Sequence, residues 1–161
     1  MEILCGRRAF RYLSGIYDQA RGIGQRLSVK PLETLGAVER LESELLTGKE
    51  RIAALEQTAF AAIAGEHSGE NGVLLFESSM RPDGVRRLAD AVAKQCKGLA
   101  AVFSGEGETW SYALVHSNGE DLSSFVKKLN SALQGRGGGR GGIAQGSVHA
   151  ARKEIESFFE S

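Results

Sequence analysis

Between positions 135 and 146 the chain reads Gly135-Arg136-Gly137-Gly138-Gly139-Arg140-Gly141-Gly142-Ile143-Ala144-Gln145-Gly146, and seven of these residues are glycine. With no Cβ in the way, backbone N–H groups in such a stretch can converge on an anion. Arg136 and Arg140 add planar, permanently charged forks that suit phosphate. A helix expected from Ser147 onward would aim its positive N-terminal end at the same place. No Gly-Lys-Ser/Thr follows, so this is not a Walker loop. The plain alternative is a disordered Gly/Arg linker, and the helical patterns on both sides count against it. The candidate nucleic-acid contacts are therefore Arg136, Gly137, Gly138, Gly139, Arg140 and Gln145, with Lys127 and Lys128 extending the positive surface from the preceding helix.

Catalytic constellations are poor. His67, His116 and His149 fall in separate segments, with no HxxxH, HExxH or CxxxH spacing. No metal site and no catalytic residue is expected in this chain. No Gly-x-Ser-x-Gly elbow occurs. Cys5 and Cys96 are far apart and form neither a disulfide framework nor a metal knuckle. Cys96 falls on an apolar helix face and reads as core.

The chain has 161 residues, 42% of them hydrophobic, with 20 basic and 20 acidic side chains. The balance excludes a strongly basic nucleic-acid wrapper and an acidic tail. No eighteen-residue apolar run is present, which excludes a membrane-spanning helix, and no basic leader precedes an apolar stretch. A reducing, cytoplasmic setting is the default. Charge is uneven along the chain. Residues 1–31 hold six basic and two acidic side chains, residues 32–70 three and eight, and residues 122–153 six and none.

The elements that must position the glycine stretch follow from periodicity. Phe10, Leu13, Ile16, Tyr17, Ala20, Ile23 and Leu27 mark one helical face. Pro31 opens a second helix whose Val38, Leu41, Leu45, Ile52, Leu55, Ala59 and Ala62 form a heptad seam weakened at Gly48. The two helices are expected to fold back as a coiled-coil-like hairpin arm over residues 7–66. The arm has little core of its own, so Leu41, Leu45, Ile52 and Leu55 are the candidate dimerisation seam. The turn residues His67 to Gly72 mark the boundary. Beyond it come a strand at 73–77, a helix opened by Pro82, strands at 99–103 and 109–115 joined through Gly105 or Gly107, a helix capped by Asp121, the glycine loop, and a last helix from Ser147 to Phe159. The fold class is α/β, a helical arm followed by a small mixed-sheet domain over residues 72–161.

Two segments carry a resemblance to a family. Met1 to Ala9 resembles the closing strand and helix start of the editing domain of alanyl-tRNA synthetases and of the free-standing alanyl-tRNA editing proteins. The tail from Phe125 through the glycine motif to Gly146 is similar to the C-terminal DHHA1 domain that those proteins share with DHH-type phosphoesterases. The resemblance implies that residues 1–6 are the remnant of an upstream editing domain and that this chain is the C-terminal part of a longer protein. In that family zinc, held by HxxxH and CxxxH motifs upstream, hydrolyses mischarged seryl or glycyl esters. Those motifs are absent here, so zinc is expected only in the missing domain. The implied role is tRNA binding, homodimerisation, or both. Two alternatives stand beside it: the substrate-binding domain of a DHH phosphoesterase, whose Asp-His-His motif is not in this sequence, and a purely structural dimerisation domain.

Overall fold

A computed structural model describes residues 5–160. The expected remnant at 1–6 lies, apart from its last two residues, outside the described residues. The chain divides into two compact units, Met1–Ala53 and Ala54–Ser161.

In the first unit, α1 (Gly6–Leu27) ends at an elbow and a 3-10 turn (Pro31–Glu33) leads into α2 (Thr34–Glu66). The elbow is built on Gly24. Its carbonyl accepts Val29 N–H at 2.9 Å, and a Cβ there would sit 2.6 Å from the Val29 carbonyl oxygen. Ser28 turns the chain with φ +55°. Away from the elbow the apolar faces stay uncovered: Phe10, Leu13, Ile16 and Tyr17 on α1, and Leu41, Leu45 and Ile52 on α2, are all exposed.

The second unit is a three-layer α/β/α sandwich. Its sheet has the order β1-β2-β3-β5-β4, with β1 (Asn71–Glu77), β2 (Lys97–Glu106), β3 (Thr109–His116), β4 (Arg136–Arg140) and β5 (Ile143–His149). β1 and β2 run parallel, joined by α3 (Pro82–Ala93), and the remaining pairs are antiparallel. The period-2 alternation sorts side chains onto two cores. Ala100, Val102, Ala113 and Val115 face α3 and the last turns of α2, against Val85, Leu88, Val92 and Phe60. Ala101, Phe103, Trp110, Tyr112, Leu114, Ala144 and Val148 face α4 (Ser123–Ala132) and α5 (Arg152–Glu160), against Val126, Leu129 and Ile155. Among the described residues no helix is long and apolar enough to cross a membrane.

Three local expectations are corrected. The glycine stretch is not a loop but a β-hairpin, because Ala144, Gly146 and Val148 alternate inward and supply a strand that the glycines complete. The last helix begins at Arg152, not Ser147, since Ser147 to His149 pair with β3. No helix N-terminus therefore adjoins the glycines. Asp121 sits one residue outside the cap of α4, where its carboxylate accepts from Ser123 N at 3.3 Å and Ser123 Oγ at 2.8 Å. Of the two turn glycines, Gly107 (φ +65°) makes the β2–β3 turn, while Gly105 lies in β2.

Candidate nucleic-acid interface

The β4–β5 hairpin turns through Gly141-Gly142, with positive φ at Gly141 alone (+63°), which fits a type II′ turn. Arg140 then pairs with Ile143, Gly138 with Gln145 and Arg136 with Ser147. A two-residue hairpin makes these the hydrogen-bonded pairs, so Gly137 and Gly139 turn their own N–H and C=O toward the free edge. The interior confirms this. Asn130 Nδ2 donates to the Gly137 carbonyl at 3.1 Å, and the Tyr112 hydroxyl donates to Asn130 Oδ1 at 3.1 Å. Burial pushes the Tyr112 phenol above its ordinary value, partly offset by that hydrogen bond.

The glycines divide by face. Gly137, Gly139 and Gly146 lie on the α4 side of the sheet, where a Cβ would run into the paired strand or the Tyr112 hydroxyl. A Cβ on Gly139 would lie 2.7 Å from Ala144 Cβ, and one on Gly146 would lie 2.7 Å from the Tyr112 hydroxyl. Their smallness lets the hairpin close on the core. Gly138 points the other way, and a Cβ there would meet nothing within 4 Å. Arg136, Gly138 and Arg140 occupy alternate positions on this open face, above Ser147, Gln145 and Ile143 of β5. The two arginines are four residues apart, roughly 13 Å along a strand. All of these residues are exposed, and no ion pair or hydrogen bond engages either guanidinium among the described residues. At the turn, Arg140 also borders an open cleft of about 410 Å³ shared with Lys94, His116 and Gly119. His116 Nδ1 is buried there without a partner, and its Nε2 lies 3.5 Å from Glu120.

The structure thus brings Arg136, Gly138, Arg140 and Gln145 onto one surface. It puts Gly137 and Gly139 at the strand edge with their α-carbons toward the core. Lys127 and Lys128 are exposed on α4, the helix that packs on the opposite face of the sheet, so they do not extend the arginine face. Leu41, Leu45, Ile52 and Leu55 are exposed on α2. The open surface also holds Ser147 and His149, which the sequence reading did not single out; the alternation through Ala144, Gly146 and Val148 was the available signal. No group of three or more His, Cys, Asp or Glu among the described residues could hold a metal ion.

The geometry defines an α/β module with an exposed strand face on which the open Gly138 lies between two arginines that have no ion pair or hydrogen bond among the described residues. The chain belongs to the DHHA1 domain family, whose model matches residues 69–161. It is similar to alanine–tRNA ligases: 25% identical to that of Thermus thermophilus across 98% of this chain and 19% of the relative, and 28% identical to that of Mycobacterium ulcerans across 91% of this chain and 18% of the relative. The chain therefore spans about a fifth of the length of the curated relatives it matches. A structural likeness joins it to the C-Ala domain from Aquifex aeolicus alanyl-tRNA synthetase, at 20% identity and a TM-score of 0.47, covering 58% of this chain and 88% of that one.

Proposed function

We propose that this chain is a tRNA-binding module, with tRNA for alanine as its partner, serving a larger cytoplasmic protein that removes mischarged serine or glycine from that tRNA. One observation carries the binding role. Arg136 and Arg140 flank the open Gly138 on an exposed strand face, with both guanidinium groups free of internal partners. Phosphate oxygens of an RNA backbone satisfy such forks bidentately, and the missing side chain at Gly138 lets the backbone come down onto the strand. Contacts of this kind fix position and orientation rather than sequence. The similarity to alanine–tRNA ligases supports tRNA for alanine as the partner. On this reading the hydrolytic chemistry and its zinc belong to a domain outside this chain, and the isolated chain deacylates nothing. Titration of the chain with alanine tRNA supports the proposal if binding is saturable and weakens steeply with salt, and overturns it if no binding appears at low salt.

A second reading coexists with it. The uncovered faces of α1 and α2 point to homodimerisation through the helical segment, with Leu41, Leu45, Ile52 and Leu55 in the contact.

A further inference from the structure

We propose that the cleft between the end of α3 and the hairpin turn seats one ribose of the bound RNA, with Arg140 holding its phosphate and Asp90 accepting a hydrogen bond from its 2′-hydroxyl. The inference rests on the RNA-binding reading above and deepens it, because it makes the same surface select RNA over DNA.

The cleft belongs to the arginine face itself. Arg140 pairs with Ile143, and Ile143 pairs with Val115. Directly opposed strand residues share one face of a sheet, and Val115 is part of the core beneath α3. On that side Arg136, Arg140, Ile143, Gln145 and Ser147 are exposed, so the cover that α3 provides ends before β5. The step between helix and bare sheet is a cleft of about 410 Å³, with Asp90 and Lys94 on the α3 side, Arg140 and Gly142 on the hairpin side, and Ile143 between. The hairpin wall is held in place. His116 N–H donates to the Gly142 carbonyl at 2.8 Å and Leu122 N–H to the Gly141 carbonyl at 3.0 Å. The Gly142 backbone lies so close to Gly119 that a Cβ there would sit 2.6 Å from the Gly119 Cα.

The three kinds of group in this cleft match one sugar–phosphate unit. Arg140, whose guanidinium has no ion pair or hydrogen bond among the described residues, takes the phosphate. Ile143 is the only large apolar side chain exposed beyond α2 among the described residues, and it offers contact to the sugar carbons. Asp90 is the discriminating group. A carboxylate beside a phosphate site repels the ligand unless the ligand brings it a donor. Asp90 uses Oδ2 to accept from Lys94 Nζ at 2.6 Å, and its Oδ1 has no partner among the described residues. An ionised carboxylate has acceptor capacity on both oxygens, so it can serve Lys94 and a ligand hydroxyl together. The sugar is joined directly to the phosphate, so the donor nearest an Arg140-bound phosphate is the ribose 2′-hydroxyl, the group by which a protein tells RNA from DNA.

The decisive variant is Asp90→Ala, because the inference and plain electrostatics predict opposite signs. Removing a carboxylate and releasing Lys94 makes the cleft more positive, which by charge alone tightens the binding of any nucleic acid. Loss of a 2′-hydroxyl hydrogen bond weakens RNA instead. The full chain and the variant are titrated by fluorescence anisotropy with alanine tRNA, with a single-stranded uridine 12-mer and with the deoxyuridine 12-mer, which differs from it only in the 2′-hydroxyl. The wild type is expected to bind the uridine strand more tightly than the deoxyuridine strand. Asp90→Ala is expected to melt within a few degrees of wild type, since it loses only an exposed ion pair. It should bind tRNA and the uridine strand about three- to tenfold more weakly, and the deoxyuridine strand no more weakly than wild type. A folded variant that binds tRNA as well as or better than wild type, or a wild type without preference for the uridine strand, overturns the inference and leaves the RNA reading standing. A wild-type chain that binds no tRNA at low salt overturns the RNA reading and the inference with it.

Discussion

Placing valine at Gly138 separates a binding role for the glycine face from a folding role. Gly138 lies in a strand, its φ is not left-handed, and a Cβ there meets nothing within 4 Å. Valine is a good strand residue, on a scale that spans about 1 kcal/mol. Removing a strand-interior glycine also recovers roughly 0.5–1 kcal/mol of chain entropy. Gly138→Val is therefore expected to melt at or a few degrees above the wild-type temperature. Its three added carbons stand in the space between Arg136 and Arg140 and hold an RNA backbone off the strand. Losing one charge-assisted arginine–phosphate contact costs about 1.5–3 kcal/mol, so tRNA binding should fall tenfold or more. Gly139→Ala provides the mirror control, because its Cβ would run into the Ile143 carbonyl and the Ala144 backbone of the paired strand. Overpacking there should cost about 1–3 kcal/mol while the folded fraction still binds. Melting curves and fluorescence-anisotropy titrations of both variants are the assay. A folded Gly138→Val protein that binds tRNA like the wild type refutes the argument.

Three further outcomes are expected. Replacing Leu45 and Ile52 with Asp should give a monomer by light scattering from a dimeric wild type with an unaltered circular dichroism spectrum; a monomeric wild type ends the dimer reading. Tyr112→Phe should destabilise the second unit by about 1–3 kcal/mol, because Asn130 Oδ1 loses its donor beside the hairpin, and chemical denaturation reads this directly. Burial raises the Cys96 thiol above its ordinary value of 9.0 and the Tyr112 phenol above 10.0. The folded state therefore holds these protons more tightly than the unfolded one. That stabilisation is complete below pH 9 and is lost as pH climbs through the raised values. Melting temperatures should drop above pH 9, and a Cys96→Ala/Tyr112→Phe protein should show a shallower drop.

The parts of the fold built from large apolar side chains were legible in the sequence. The steps Val85, Leu88, Ala89 and Val92 gave α3, and the runs at 73–77 and 99–103 gave the two parallel strands. The hairpin was not legible in the same way. Five of its first seven residues are glycine or turn residues with no side chain to register a period, and only Ala144, Gly146 and Val148 betray the alternation. Reading a loop there misplaced the start of α5 by five residues. It also obscured why Arg136, Arg140 and Gln145 belong together, which is that period 2 sends them to one face. For the same reason Lys127 and Lys128 look adjacent to the motif in sequence and yet project from a helix on the other side of the sheet. Helix α2 itself was legible because a helical period needs no tertiary context.

The central claim is that the Arg136–Gly138–Arg140 face holds RNA phosphate. Its most direct test is the affinity of wild-type and Arg136→Ala/Arg140→Ala chains for alanine tRNA across 50–300 mM salt. Each lost phosphate contact removes roughly 0.7–0.9 from the slope of log affinity against log salt. The double variant should bind more weakly, show a slope flatter by about 1–2, and melt within a degree or so of wild type, since neither guanidinium has a hydrogen bond or ion pair among the described residues. A folded double variant with wild-type affinity and an unchanged slope would contradict the account and leave the glycines as packing alone.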